Sequence, residues 1–118
     1  MDNKLIGSQG EEIAARYLAG QGYRICARNY RVKVGEIDII ASLPGLVAFV
    51  EVKTRRSLRC GTPAQAVNYH KQQKIIQTAR CYLRQRHLEE CLCRFDVIEV
   101  YLQGGQNDIR HIKGAFET

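Results

Sequence analysis

Two apolar segments joined by a short turn place the strongest constraint on how this chain folds. They run from Glu36 to Leu43 and from Leu46 to Thr54, and Pro44 and Gly45 separate them. β-Branched residues recur in both segments, and a Pro-Gly pair is typical of a turn, so the pattern predicts an antiparallel β-hairpin. The other elements are predicted on either side of this hairpin.

A helix and a strand are predicted before the hairpin. Ser8 and Glu11 have the spacing of a capping box, and apolar residues then recur at helical spacing until Gly20 and Gly22. The segment from Tyr23 to Val32 is rich in β-branched and aromatic residues, which predicts a strand. The N-terminal part should therefore form one helix followed by the first strand.

A second helix and two strands are predicted after the hairpin. Thr62 as cap and Pro63 as first helical residue predict the start of a long helix that reaches about His87. Its apolar stripe consists of Ile75, Ile76, Ala79, Tyr82 and Leu83. Phe95 to Leu102 and, after a GGQN turn, Asp108 to Phe116 predict the last two strands.

The order of these elements predicts an α/β fold in a single domain that covers residues 1–118. The longest uninterrupted apolar run, Leu46 to Val50, is far shorter than the roughly 20 residues that cross a bilayer. The N-terminal residues lack the pattern of a signal peptide. No glycine-rich nucleotide-binding motif occurs. We therefore expect a cytoplasmic protein with no membrane contact and no small-molecule cofactor.

The distribution of charge suggests a polyanionic partner. The chain has 18 Lys and Arg against 12 Asp and Glu, a formal charge of +6, and no acidic residue occurs between Glu51 and Glu89. The basic residues of that stretch are Lys53, Arg55, Arg56, Arg59, Lys71, Lys74, Arg80, Arg84 and Arg86. An acid-free run of this length favours contact with nucleic acid, and a solvated basic surface is the alternative.

Four charged residues fall on the predicted hairpin. Glu51 and Lys53 are two apart on one strand, so their side chains leave the same face. If the hairpin closes symmetrically about its turn, Asp38 lies opposite Glu51 and Glu36 lies opposite Lys53. Two opposed carboxylates within apolar sequence repel each other and need a cation.

A divalent metal ion and Lys53 are the two candidates for that cation. Magnesium typically binds one or two protein carboxylates together with water and substrate phosphate. Alternatively, Lys53 alone neutralises the two carboxylates in a structural ion cluster. The site also depends on the register of the hairpin, because a shift by one residue would move Asp38 to the other face. Glu11 is predicted to face inward from the first helix, although the capping box gives it a purely structural role.

Four separated motifs resemble a known family. They are GxxGExxAxxYL from Gly7, GEIDIIA from Gly35, FVEVKTR from Phe49 and RFDV from Arg94. Together they resemble the YraN-like family of small bacterial proteins, which is similar to archaeal Holliday-junction resolvases and belongs to the PD-(D/E)XK nuclease superfamily. The likeness extends from Gly7 to about Val100.

This resemblance implies a restriction-endonuclease-like fold, in which a mixed central β-sheet is flanked by helices and the second helix packs beside the active site. It assigns the catalytic site to Glu11, Asp38, Glu51 and Lys53, and the metal site, for Mg²⁺ or Mn²⁺, to Asp38, Glu51 and Glu11. Ile37 stands where the superfamily name has proline. We expect this difference to leave metal binding unaffected.

The function implied is that of a nucleic-acid-binding, magnesium-dependent endonuclease that acts on structured DNA. Arg55, Arg56, Lys71 and Gln72 are the candidate contacts with the nucleic-acid backbone. A second hypothesis is a nucleic-acid-binding module that keeps the nuclease fold but does not cleave. A third is a structural protein whose basic face meets another protein. The choice of DNA or RNA and the oligomeric state, a homodimer included, stay open at this stage.

Overall fold

Over the residues that the structure describes, the chain forms a five-stranded mixed sheet with one helix on each face. The structure is a computed structural model and describes residues 3–55, 67–103 and 106–118. The elements are α1 (Asn3–Gly20), β1 (Arg24–Val32), β2 (Gly35–Leu43), β3 (Leu46–Arg55), α2 (Tyr69–Gln85), β4 (Leu92–Gln103) and β5 (Gln106–Phe116). Over these residues, neither helix has the length and apolar character needed to span a membrane.

The strands lie in the sheet in their sequence order. Neighbouring strands are antiparallel except for β3 and β4, which are parallel. Parallel neighbours need a crossover connection, which here contains α2. The structure confirms the predicted fold class, a mixed central sheet flanked by helices, and the predicted order of elements.

Alternating residues of β3 build a separate core on each face of the sheet. On the α2 face, Phe49 stacks on Phe95 with ring centroids 5.5 Å apart, and Tyr82 of α2 packs against Phe49 edge-on. On the other face, Val50 packs in one cluster with Leu18 of α1. Because side chains alternate along a strand, the residues of β3 that follow Phe49 by two and four positions, Glu51 and Lys53, face α2.

The hairpin has the predicted register near its turn, but the pairing of its two strands ends earlier than predicted. Ladder pairs run from Leu43 with Leu46 to Ile39 with Val50, the register that the symmetric turn predicts. The ladder pairing of β2 with β3 ends there, so the predicted ladder pairs Asp38–Glu51 and Glu36–Lys53 are wrong. The physical reason is a side-chain contact that replaces the ladder, since the backbone N–H of Val52 donates a hydrogen bond of 2.8 Å to the carboxylate of Asp38.

Beyond the ladder, Glu36 and Lys53 lie next to residues of other strands. Glu36 is exposed and forms an ion pair of 2.9 Å with Arg31 of β1. Lys53 lies beside Glu99, because β3 continues to pair with β4 along its whole length. The end of the hairpin is therefore open between β2 and β3, and the candidate site lies at this opening.

The first helix begins earlier than the sequence predicts. It starts at Asn3, so Ser8 and Glu11 lie inside it and the predicted capping box is wrong. At Gly10 the helix approaches β3 so closely that a Cβ atom there would collide with the side chain of Thr54. The glycine therefore permits the contact that places Glu11, the next residue, beside the opening.

Among the described residues, the second helix begins at Tyr69. Asn68 caps it, and its side-chain oxygen accepts a hydrogen bond of 2.9 Å from the backbone N–H of Lys71. Thr62 and Pro63 lie outside the described residues. The predicted apolar stripe is confirmed, since Ile75, Ile76, Ala79, Tyr82 and Leu83 are all buried.

Candidate functional site

Two carboxylates and two lysines meet where β2 and β3 separate. We call Asp38, Glu51, Lys53 and Lys71 the acid–lysine cluster. Glu51 is only 4% exposed, and the Nζ atom of Lys71, in the first turn of α2, lies 3.3 Å from its Oε2 atom. Asp38 and Lys53 both act electrostatically on Glu51. The structure thus brings together three predicted site residues and adds Lys71, which the sequence suggested only as a contact with nucleic acid.

The position of Asp38 depends on a break in the alternation of β2. Ile39 belongs to the core on the α1 face, whereas Ile37, two residues earlier, belongs to the core on the α2 face. Residues two apart on a regular strand share a face. Asn29, at the matching point of β1, has a positive φ of 51° and marks the same irregularity. Asp38 turns towards β3, where its Oδ2 atom accepts a hydrogen bond of 2.8 Å from the backbone N–H of Val52.

Burial changes the acidity of this cluster. Desolvation and the charge of Asp38 together raise the pKa of Glu51 to about 7, although Lys71 and Lys53 oppose them. Desolvation also raises the pKa of Asp38, although the hydrogen bond from Val52 lowers it. Desolvation and the neighbouring Lys71 lower the pKa of Lys53. Holding two negative charges here is costly, so positive charge beside them stabilises the site, and Lys71 and Lys53 supply it in the absence of a metal ion.

Glu51→Gln should change how stability depends on pH. A carboxyl group with a pKa of about 7 in the folded chain and 4.5 as its ordinary value binds more protons when folded. Its stabilising contribution is therefore complete below the ordinary pKa and is lost as the pH rises through 7. With a chelator present near pH 8, Glu51→Gln should exceed the wild type in free energy of unfolding by on the order of 3 kcal/mol.

Urea unfolding at pH 5 and pH 8 measures this difference in free energy, which should fall to about 1 kcal/mol at pH 5. Glu12→Gln is the matched control, because hydrogen bonds from Arg28 and Arg16 lower the pKa of Glu12. If the free energy of unfolding depends on pH in the same way in the wild type and in Glu51→Gln, the prediction is contradicted.

Glu11 approaches the cluster from α1. Burial and the charge of Asp38 raise the pKa of Glu11, while the side chain of Asn29 lowers it. The electrostatic effect of Asp38 on Glu11 indicates that the helix places this glutamate beside the β2 side of the opening. Glu12 is directed elsewhere and forms the i,i+4 ion pair with Arg16, at 3.2 Å.

The oxygen donors of the cluster suit a hard divalent cation. In the part of the chain that the structure describes, no three His, Cys, Asp or Glu side chains form a ready ligand set. Asp38 and Glu51 nevertheless interact closely, and magnesium commonly binds only one or two protein carboxylates and completes its shell with water and phosphate. The residues present therefore fit the ion that the sequence predicts.

The predicted contacts with nucleic acid lie in different environments. They are Arg55, Arg56, Lys71 and Gln72, of which Arg56 lies outside the described residues. Arg55 directs its Nε atom to 3.5 Å from Oε2 of the buried Glu99. The side-chain amide of Gln72 donates a hydrogen bond of 3.0 Å to the carbonyl oxygen of Val67. The exposed basic side chains of α2 are instead Lys74, Arg80 and Arg84.

A second buried polar cluster, on the α1 face, was missed by the sequence analysis. Asp96 is fully buried and accepts hydrogen bonds of 2.8 Å from Arg94, 2.7 Å from His111 and 3.1 Å from the backbone N–H of Gly114. The other ring nitrogen of His111 lies 3.2 Å from the hydroxyl of Tyr17 in α1. The RFDV motif indicates part of this cluster, because Arg94 and Asp96 lie two apart on a strand and their side chains therefore share a face.

Comparison with known proteins places the chain in a family. The model of a family described as "Uncharacterised protein family UPF0102" matches residues 10–100, which include Glu11 and the whole acid–lysine cluster. The chain belongs to the UPF0102 family. This confirms the resemblance to the YraN-like family.

Relatives within UPF0102 match over nearly the full chain. A UPF0102 protein of Pelobacter propionicus is 50% identical over 119 residues, covering 98% of this chain and 85% of the relative. One of Caldanaerobacter subterraneus is 44% identical over 119 residues, covering 98% of each. Among solved structures, that of Pyrococcus furiosus SfsA in complex with Ca²⁺ matches with a TM-score of 0.41 and 18% identity. That match covers 99% of this chain and 66% of the SfsA chain, so the chain spans about two thirds of its length.

Proposed function

We propose that this UPF0102 protein is a magnesium-dependent endonuclease that hydrolyses phosphodiester bonds in structured DNA. The observation that carries the proposal is the acid–lysine cluster. It combines the buried carboxylate of Glu51 and the partly buried carboxylate of Asp38, which are oxygen donors suited to a divalent ion, with a lysine on the same face. This combination supplies both a metal site and a positive charge for a phosphate.

Each residue of the site has a distinct role in this proposal. Asp38 and Glu51 would hold the ion, and Glu11 would orient water molecules of its hydration shell. A bound magnesium ion would polarise the phosphate and lower the pKa of a water molecule. Lys53 would stabilise the negative charge that develops on the phosphoryl oxygens. The chemistry would take place at the opening between β2 and β3.

The surface of α2 supports a nucleic-acid substrate. The helix contains no acidic residue, and Lys74, Arg80 and Arg84 are exposed on it. Basic side chains on one helix attract the phosphate backbone without reading its sequence. Lys71, at the start of the same helix, lies beside Glu51, so a backbone that follows this surface would reach the cluster.

The second candidate function is a nucleic-acid-binding module that does not cleave. The observation that favours it is the direct ion pair between Lys71 and Glu51, because two lysines balance the charge of two carboxylates without a metal ion. The basic surface of α2 would serve either function. Metal dependence distinguishes the two.

A cleavage screen over branched, single-stranded and duplex DNA, with magnesium or with a chelator, tests the proposal. We expect cleavage with magnesium only, and we expect Asp38→Asn to lower it by roughly 100-fold while nucleic acid still binds. Asp108→Asn is the matched control, because Asp108 is exposed on β5. Its cleavage should equal that of the wild type.

The screen also identifies the alternatives. A wild type that binds nucleic acid equally well with the chelator and never cuts it would establish the binding module. A wild type that neither binds nor cuts any of these substrates would contradict both functions and leave the basic face for a protein partner.

A further inference from the structure

Lys71 is held at the site from two directions. Its backbone N–H is fixed by the side chain of Asn68 at 2.9 Å, while its ammonium group lies 3.3 Å from Glu51. The side chain of Lys71 is 45% exposed and that of Glu51 only 5%. The buried carboxylate is therefore neutralised by a cation that stands at the solvent side of the site.

Lys71 contributes more than Lys53 to this neutralisation. Both lysines lower the pKa of Glu51, and Lys71 has the larger effect, through its charge and through a hydrogen bond. The two ammonium groups of the acid–lysine cluster balance the formal charges of its two carboxylates, and Glu11 beside them adds one negative charge. A divalent ion bound between Asp38 and Glu51 would add two positive charges to a largely buried space.

That excess is relieved most easily if one ammonium group leaves. Both side chains are partly exposed, but Lys53 extends from the central sheet, whereas Lys71 extends from the first turn of α2 and is the lysine that lies 3.3 Å from Glu51. A lysine side chain is long and rotatable and makes point-charge contacts, so it changes partners at little cost. Lys71 is the group that can move to solvent or to a substrate phosphate.

We propose that Lys71 is an internal counter-ion of the metal site, which occupies Glu51 in the free protein and is displaced from it when a divalent ion binds. The inference rests on the proposed function, because it requires the metal site. In this role Lys71 is a positioning residue, which stabilises the folded site around the two carboxylates before the metal binds. Once displaced, its ammonium group is available for the phosphate of the substrate.

Metal affinity measured without substrate tests this inference. Calorimetric titration with manganese chloride should show that Lys71→Met binds the ion about tenfold more tightly than the wild type, because no cation competes for Glu51. With a chelator present, Lys71→Met should melt at a lower temperature, and metal should raise its melting temperature by more than that of the wild type. Lys71→Arg keeps the positive charge and should therefore match the wild type in manganese affinity and in melting temperature.

Lys74→Met is the matched control. It removes one positive charge from the exposed face of the same helix and should leave the metal affinity within about twofold of the wild type. If Lys71→Met does not fold in chelator, Lys71→Gln serves in its place, because its amide keeps a hydrogen bond to Glu51 without the charge. It too should bind manganese more tightly.

The outcomes separate this inference from the proposed function. In one outcome, the wild type binds manganese while both Lys71→Met and Lys71→Gln bind it equally or more weakly. That outcome overturns the counter-ion role of Lys71 and leaves the nuclease proposal standing. A wild type that binds no manganese in calorimetry and shows no thermal shift with it overturns both.

Discussion

Lys53→Ala should reduce magnesium-dependent cleavage by roughly 100- to 1,000-fold and leave metal binding nearly unchanged. Lys53 lies on the face of β3 that carries Glu51, and its pKa is affected by both carboxylates of the cluster. Lys53 therefore lies within electrostatic range of both proposed metal ligands. The direct ion pair with Glu51 comes from Lys71, so the loss of Lys53 should not leave that carboxylate without a cation.

Single-turnover cleavage and calorimetric metal binding, measured on the same preparation, check this expectation. Lys113→Ala is the control, because Lys113 is exposed on β5, and it should retain full activity. In the alternative, Lys53 is the neutralising partner of a purely structural cluster, and its loss leaves two buried acids uncompensated. A Lys53→Ala protein that melts far below the wild type, with no magnesium-dependent shift in the wild type, would contradict the nuclease mechanism.

The hairpin shows how far local sequence determines this fold. A Pro-Gly turn between two apolar runs was enough to predict the register from Leu43 with Leu46 to Ile39 with Val50. The prediction failed one residue further, at Asp38, because the carboxylate of Asp38 accepts the backbone N–H of Val52 and the alternation of β2 breaks between Ile37 and Ile39. The point of failure is the candidate site itself, where a fold is expected to depart from local rules.

The ends of the helices were harder to predict, since several local signals compete. Ser8 and Glu11 match a capping box, yet the helix continues back to Asn3. Asn68 caps α2, and several residue types are comparable caps, so capping preference alone does not determine where a helix begins. Tertiary contacts such as that of Gly10 with Thr54 fix the position of α1.

The candidate site was predictable only where its members share one hairpin. The spacing of Glu51 and Lys53 indicated a common face, and symmetry about the turn brought Asp38 near them. The contact of Lys71 with Glu51 joins a helix to a strand, and its geometry depends on how α2 packs on the sheet. No periodicity within either segment carries that information.

Asp96→Asn should lower the free energy of unfolding by about 3–5 kcal/mol, the usual cost of removing one partner of a buried charge pair. Burial raises the pKa of Asp96, but hydrogen bonds from His111 and Arg94 outweigh it and leave the pKa below its ordinary value. The asparagine keeps the shape of the side chain and loses the charge. Arg94, whose side chain is only 23% exposed, would then lack its anionic partner.

Urea unfolding at neutral pH measures this loss, and Asp108→Asn on the exposed surface of β5 should change stability by less than about 0.5 kcal/mol. Tyr17→Phe removes only the outer contact with His111 and should cost about 1 kcal/mol. A depressed carboxyl pKa gives stability that is present above the ordinary value of 3.8 and is lost as the pH falls through the lower folded value. The difference between Asp96→Asn and the wild type should therefore shrink in acid, and a difference that stays constant down to pH 2 would show that packing, rather than charge, makes Asp96 important.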